Sequence, residues 1–227
     1  MPAHRITNKI RWSSDVAYAV GLITTDGNLS SDGRHIILTS TDKQLLKTFA
    51  YCLNKKNKIS INPPSSIGRK IAYHIQIGDT TLYEWLQKLG ITQRKSLTIG
   101  ELQIPKKFLR DFVRGHLDGD GSIVHYIDKY NTYLNSRYVY DRLFVFLMSC
   151  SKNHIEWLRE KIQEDQGLHG SFLIQRSKYQ LGKSFSYRIK FSTKEAKKLL
   201  NWIYYRNNLP KLERKFKIAQ PFLRVSN

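Results

Sequence analysis

Apolar and polar positions along the chain form a series of short periodic runs, and the series occurs twice. "SSDVAYAVGLITTDG" has the apolar density of a buried helix, begins at Ser13 or Ser14 as N-cap and ends at Asp26-Gly27. "NLSSDGRHIILTS" then alternates on either side of Asp32-Gly33, a hairpin pattern, and "TDKQLLKTFAYCL" returns to helical spacing. "KISINPP" and "IAYHIQIG" read as strands, and "TLYEWLQKLG" as a helix carrying Trp85. From Pro105, a first-turn residue, the order returns. The helix-like "PKKFLRDFVRGHLDGDG" precedes strand-like "SIVHYI" and "RLFVFLMSC", helical "SKNHIEWLREKIQ", strands "GSFLIQR" and "SFSYRIKF", and helical "TKEAKKLLNWIYY" with Trp202. The expected fold is α+β, a duplicated αββαββα unit with antiparallel sheets. Residues 1–103 and 104–227 are the repeats, joined near 98–105. The second hairpin is the longer, because "DKYNTYLNSRYVYD" separates its strands.

Each repeat opens with a helix ending in Asp-Gly, and Asp26 and Asp120 stand 94 residues apart with Gly21 and Gly115 five positions before them. Glycines at one register of two helices permit close backbone approach, so side-by-side packing would bring both acids to one end of the interface. A helix C-terminus carries partial negative charge, and an exposed Asp there costs ~0.3 to 1 kcal/mol unless something positive offsets it. Asp118 is the competing carboxylate. Two residues from Asp120, it points about 200° away on a helix, and its counterpart in the first repeat is Thr24. Only Asp26 and Asp120 are common to both repeats.

Charge identifies what could lie opposite such acids. The chain has 38 Lys and Arg against 18 Asp and Glu, a formal charge of +20, while 41% hydrophobic residues suffice for a packed core. Both repeats are basic, with 14 basic against 7 acidic residues in 1–103 and 24 against 11 in 104–227. That surplus on a folded chain is the footprint of a polyanion partner, nucleic acid first of all. No apolar run approaches a bilayer span, and the beginning of the chain lacks the apolar core of a secretory signal, so an intracellular protein without membrane contact is expected. Cys52 and Cys150 lie in apolar surroundings without C-x-x-C spacing and are expected to be buried thiols rather than a zinc pair.

Paired carboxylates without His or Cys favour a hard cation, Mg2+ with Mn2+ or Ca2+ as substitutes, completed by phosphate oxygens and water. Such an ion can activate water, polarise phosphorus and steady a leaving 3′ oxygen, which points to phosphodiester chemistry. No Ser/His/Asp or Cys/His arrangement stands out. An EF-hand in "DGDGSIVHYIDK" fails, because Ile123 occupies the glycine position and Lys129 the position of the final Glu.

"AVGLITTDG" (19–27) and "VRGHLDGDG" (113–121) resemble the two signature motifs of a single-chain LAGLIDADG homing endonuclease. The first keeps Gly21, Leu22, Ile23, Asp26 and Gly27; the second keeps Gly115, Asp118, Asp120 and Gly121. Thr24 departs from the motif's first acid and His116 from its Leu. The resemblance covers nearly the whole chain. It implies a pseudo-twofold interface of motif helices, with Asp26 and Asp120 binding catalytic metals over the minor groove, helped by the Thr25 and Gly119 carbonyls. It further implies saddle-shaped sheets along the major groove of duplex DNA, and cleavage of a long asymmetric site to leave short 3′ overhangs. Lys95 and Lys215, similarly placed after the last helix of each repeat, are candidate catalytic residues.

Strand alternation nominates Asn28, Arg34, Arg69, Tyr73, Gln76, His125, Gln175, Arg176, Lys178, Arg188 and Lys190 for DNA contact. Arg suits guanine, Asn and Gln suit adenine, and Lys suits phosphate. A monomer with no protein partner is expected. The alternatives on the same scaffold are an RNA-splicing maturase and a non-catalytic DNA-binding regulator. An intein is not expected, since neither a splicing nucleophile at the start nor a His-Asn pair at the end is present.

Overall fold

The Ser13 hydroxyl accepts a hydrogen bond from the Val16 amide at 3.1 Å, and from that cap runs helix α1, Ser14–Asp26. The computed structural model describes residues 10–63, 70–176 and 185–224. After α1 come β1 (Gly27–Leu29) and β2 (His35–Ser40), turning where Gly33 takes φ 75°. Helix α2 (Lys43–Cys52), capped by Asp42, leads to β3 (Ile59–Asn62), β4 (Ala72–Gly78) and α3 (Thr80–Lys88), capped by Asp79. The second repeat follows as α4 (Leu109–Asp118), β5 (Ser122–Asp128), β6 (Tyr140–Ser149), α5 (Lys152–Gln166), β7 (Ser171–Arg176), β8 (Phe185–Ser192) and α6 (Thr193–Ile203). Both sheets are four-stranded and antiparallel with the same order, β1-β2-β4-β3 and β5-β6-β8-β7. The duplication legible in the chain is thus present in three dimensions.

Alternation decides which face of each sheet is dry. Ile36, Leu38, Ile75 and Ile77 of the first sheet, and Leu143, Val145, Leu147, Ile189 and Phe191 of the second, are buried in one core with the helices. The opposite faces carry the exposed and half-exposed positions. Three features depart from the sequence expectation. Pro105 leads into a turn of 3-10 helix, Lys106–Phe108, before α4 begins. A seventh helix, α7 (Glu213–Ala219), stands where the first repeat has only a 3-10 turn, Lys95–Leu97; its apolar residues Leu212, Phe216 and Ala219 carried the signal at i, i+4 and i+7. Cys52 is buried as expected, but Cys150 is exposed, because it follows the last residue of β6 and leaves the alternation that buries Leu147. Among the described residues no helix is long and apolar enough to cross a membrane.

His116, which replaces an apolar residue of the motif, is accommodated by aromatic packing. Its ring stacks on His154 at 5.4 Å and lies 6.2 Å from Phe112, while His154 in turn stacks on Trp157 at 5.3 Å. Burial pushes both imidazoles down, His154 to about 4, so both are neutral at pH 7 and serve as aromatic core.

Candidate metal centre and nucleic-acid interface

The close contact of α1 with α4 rests on its two glycines. A Cβ on Gly115 would stand closer than 3.0 Å to the Tyr18 carbonyl and 3.2 Å from the Gly21 Cα, and one on Gly21 would collide with the Phe112 carbonyl. Only hydrogen at both positions allows the backbones to touch. The same register sets the helix ends side by side. Asp26 is the last residue of α1, and its Oδ2 would lie 3.3 Å from a Cβ on Gly119, the residue before Asp120. Gly119 is itself required, because the Thr25 side chain fills the space a Cβ would take.

The two acids meet at a cost. Asp26 is raised to about 6, first by burial and then by the negative charge of Asp120; burial also raises Asp120, against the pull of Lys95 and Lys215. A carboxyl whose folded pKa exceeds its unfolded value stabilises the fold below the unfolded pKa, near 3.8, and loses that contribution as pH rises through about 6. Asp26→Asn removes the penalty. Its thermal midpoint should exceed that of the parent protein at pH 7.5, by about 1 to 3 kcal/mol of stability, and the gap should close toward pH 4. Thermal unfolding at the two pH values checks this, and equal midpoints at pH 7.5 would mean that the acid is not strained.

Positive charge arrives from below the helix ends. The Lys95 ammonium donates to the Gly27 carbonyl at 2.7 Å and the Thr25 carbonyl at 3.3 Å. The Lys215 ammonium donates to the carbonyls of Leu117, Asp118, Gly119 and Gly121 at 2.7 to 3.0 Å. The pattern is pseudo-symmetric, since each lysine holds the carbonyls immediately before and after one acid. Each ammonium satisfies the carbonyl-rich end of a helix. Burial lowers both lysines to about 8, while the nearby aspartates pull the other way. The Thr25 and Gly119 carbonyls, expected as metal helpers, are therefore already engaged by these amines, and each retains a second lone pair.

Asp118 has a different task. Buried at the end of α4, it accepts a hydrogen bond from the Tyr18 hydroxyl of α1 at 2.8 Å and from the Leu212 amide at 2.8 Å. Thr24, its counterpart, turns its hydroxyl back to the Val20 carbonyl of its own helix. Sequence reasoning also missed Arg114 and Asp111, a fully buried ion pair at 2.8 Å. Arg114 donates to the Pro210 carbonyl at 2.8 Å and the Ile203 carbonyl at 2.9 Å, which ties α4 to the segment before α7. The signal was available: an Arg in the middle of the apolar run of α4 needs partners of this kind.

Register sorts the proposed DNA-contact residues. Asn28 and Gln76 share the open face of the first sheet, both opposite Ile37, and Arg34 is exposed beside its turn. Gln175, Arg188 and Lys190 share the open face of the second sheet. Tyr73 is a correction: it falls on the core side and packs there, with the Lys43 ammonium 5.6 Å from its ring. His125 and Arg176 are also on the helix side of their sheet by alternation; His125 contacts Asp141 at 2.7 Å and the Phe222 ring at 4.8 Å. Arg69 and Lys178 lie outside the described residues.

Among the described residues no cluster of three His, Cys, Asp or Glu side chains is present. Two converging carboxylates nonetheless fit a hard cation that takes its remaining ligands from phosphate and water.

No family model and no curated protein matches this chain. Solved structures do match in fold. Full-length DUF199/WhiA from Thermatoga maritima aligns with a TM-score of 0.55 at 15% identity, covering 97% of this chain and 65% of that one. The homing endonuclease I-WcaI, bound to its DNA recognition sequence, aligns at 0.55 and 11% identity over 96% of this chain and 94% of its own. I-DmoI in complex with DNA and Ca aligns at 0.53 and 16% identity over 91% and 97%. The chain therefore has the homing-endonuclease-like fold.

Proposed function

We propose that this protein is a site-specific double-strand DNA endonuclease of the LAGLIDADG homing type. The observation that carries this reading is the meeting of Asp26 and Asp120 at two adjoining helix ends, where each is disfavoured as a bare carboxylate. A binding scaffold gains nothing from two such acids; a nuclease needs them. The two carboxylates would hold divalent cations, Mg2+ first, which when bound supply an activated water and charge stabilisation at phosphorus. The chain's own residues do the rest. Lys95 and Lys215 fix the carbonyls on either side of each acid, and so act as positioning residues rather than catalytic ones. Gly21 and Gly115 set the distance between the helix ends. The open sheet faces, with the excess of 20 positive charges behind them, bind the duplex backbone and bases.

Support also comes from solved proteins of this fold: I-WcaI is bound to its DNA recognition sequence, and I-DmoI is in complex with DNA and Ca. One fold can host both cutting and binding, so the pair of acids rather than the fold carries the assignment. The chain would act as a monomer, each repeat supplying one half of the site, and would leave short 3′ overhangs. Incubation with Mg2+ and a randomised duplex library, followed by sequencing of cut ends, is the test. Cut ends sharing one long asymmetric sequence are the expected result. Specific binding without cutting would instead establish a DNA-binding regulator. Affinity should fall about a thousandfold or more between about 50 and 200 mM salt if six or more phosphates are contacted, and an affinity flat with salt would exclude DNA as the main partner.

A further inference from the structure

The open faces of the two sheets carry different chemistry. On the first, strand register sets Asn28, Thr39, Ser60, Asn62, His74 and Gln76 around a single large apolar side chain, Ile37. On the second, the same register places a run of apolar side chains, Val124, Tyr126, Phe144, Phe146, Met148 and Leu173, with Ser122, Gln175, Arg188 and Lys190 set among them. Val124, Tyr126 and Leu173 are 39%, 47% and 40% exposed, which is unusual for apolar side chains on a sheet. These groups touch one another: Tyr126 lies 6.3 Å from Phe144, and Phe144 lies 6.3 Å from Phe146. They are also bordered by cations. The Lys190 ammonium stands 4.1 Å over the Phe144 ring, and the buried Nε of Arg188 has no partner among the described residues, whereas Arg142, opposite Tyr126 in the register, is paired with Asp128 at 3.1 Å. An apolar strip framed by basic groups matches a polyanion that also presents apolar surface. In the major groove of duplex DNA that surface is the 5-methyl group of thymine.

We propose that the open face of the second sheet reads thymine methyl groups, so that the half-site it covers is recognised by apolar contact, whereas the half-site under the first sheet is recognised by hydrogen bonds to base edges. This rests on the reading of the protein as a duplex DNA endonuclease and goes beyond it by dividing recognition between the repeats. Arg188 and Lys190, beside the strip, supply phosphate or guanine contacts that hold the methyl groups against it. Amide and hydroxyl groups of the first sheet gain nothing from a methyl, so the two half-sites should differ in their response to its removal.

The experiment uses the full chain and the duplex recovered from cleavage selection, with thymine replaced by deoxyuridine in one half or the other, and binding read by gel shift with Ca2+ present. Removing a contacted methyl should weaken binding about fourfold, and more where several are lost. The loss should be confined to one half. In a Val124→Ser, Leu173→Ser double variant, whose changes are on the open face and whose folding is checked by circular dichroism, the loss should shrink or vanish. A Gln76→Ala variant should keep it. If deoxyuridine costs the same in both halves, costs nothing, or costs as much in the double variant as in the parent, the proposal falls while the endonuclease reading stands. If the unmodified duplex is bound no better than a scrambled one, the endonuclease reading falls and takes this inference with it.

Discussion

Asp26→Asn and Asp120→Asn should each reduce cleavage about a hundredfold to a thousandfold while leaving DNA affinity unchanged or improved. The amide keeps the shape of the carboxyl but removes the charge that draws a hard cation, and removing one interaction of this rank costs about 3 to 4 kcal/mol in the transition state. Binding should not suffer, because the acids face a polyanion and their negative charge opposes it. The asymmetry is therefore diagnostic: single-turnover cleavage and gel shift on the same duplex should diverge. Cutting at the parental rate by either variant would remove that acid from the mechanism. Equal loss of binding and cutting would mean that the substitution damaged the fold instead.

Gly21→Ala and Gly115→Ala should be the most damaging single changes to stability. The added methyl meets backbone, not a movable side chain, on the opposite helix: the Phe112 carbonyl in one case and the Tyr18 carbonyl in the other. Relief requires the helices to part, which costs about 3 kcal/mol or more, or roughly 6 to 12 °C in thermal midpoint for a chain of this length. Parting would also carry Asp26 away from Asp120. A variant folded at low temperature should accordingly bind DNA and cut poorly, and its Asp26 should titrate nearer its ordinary value. A thermal midpoint within 2 °C of the parent would show that the helices are not in backbone contact.

Periodicity and repetition made most of this architecture legible. Among the described residues, all but one of the α-helices and every strand follow from runs legible in the chain, and the shared Gly-x4-Asp-Gly marks the pair of acids. What escaped has a common cause. Alternation alone nominates Tyr73 and His125 as DNA contacts, since polar or amphipathic residues in strands are commonly exposed, but only register tells which face each occupies. Lys95 and Lys215 were found as a pair, whereas their partners are backbone carbonyls, which no residue type announces. Cys150 lies one residue past a strand end, where alternation stops being informative. The Arg114 and Asp118 networks join residues about ninety to a hundred positions apart, beyond the reach of any local pattern.

Those long connections have a kinetic meaning. The contacts that seat α7 beneath the motif helices span 94 to 98 residues, so they close a large loop and form late in folding. Until they form, nothing neutralises the carbonyl end of α4 and nothing anchors the turn that carries Asp120. A nascent chain still short of residue 215, or one clipped by a protease ahead of Leu212, would leave the α4 carbonyls without their ammonium and Asp118 without its amide donor, so the end of the chain completes the geometry around Asp120.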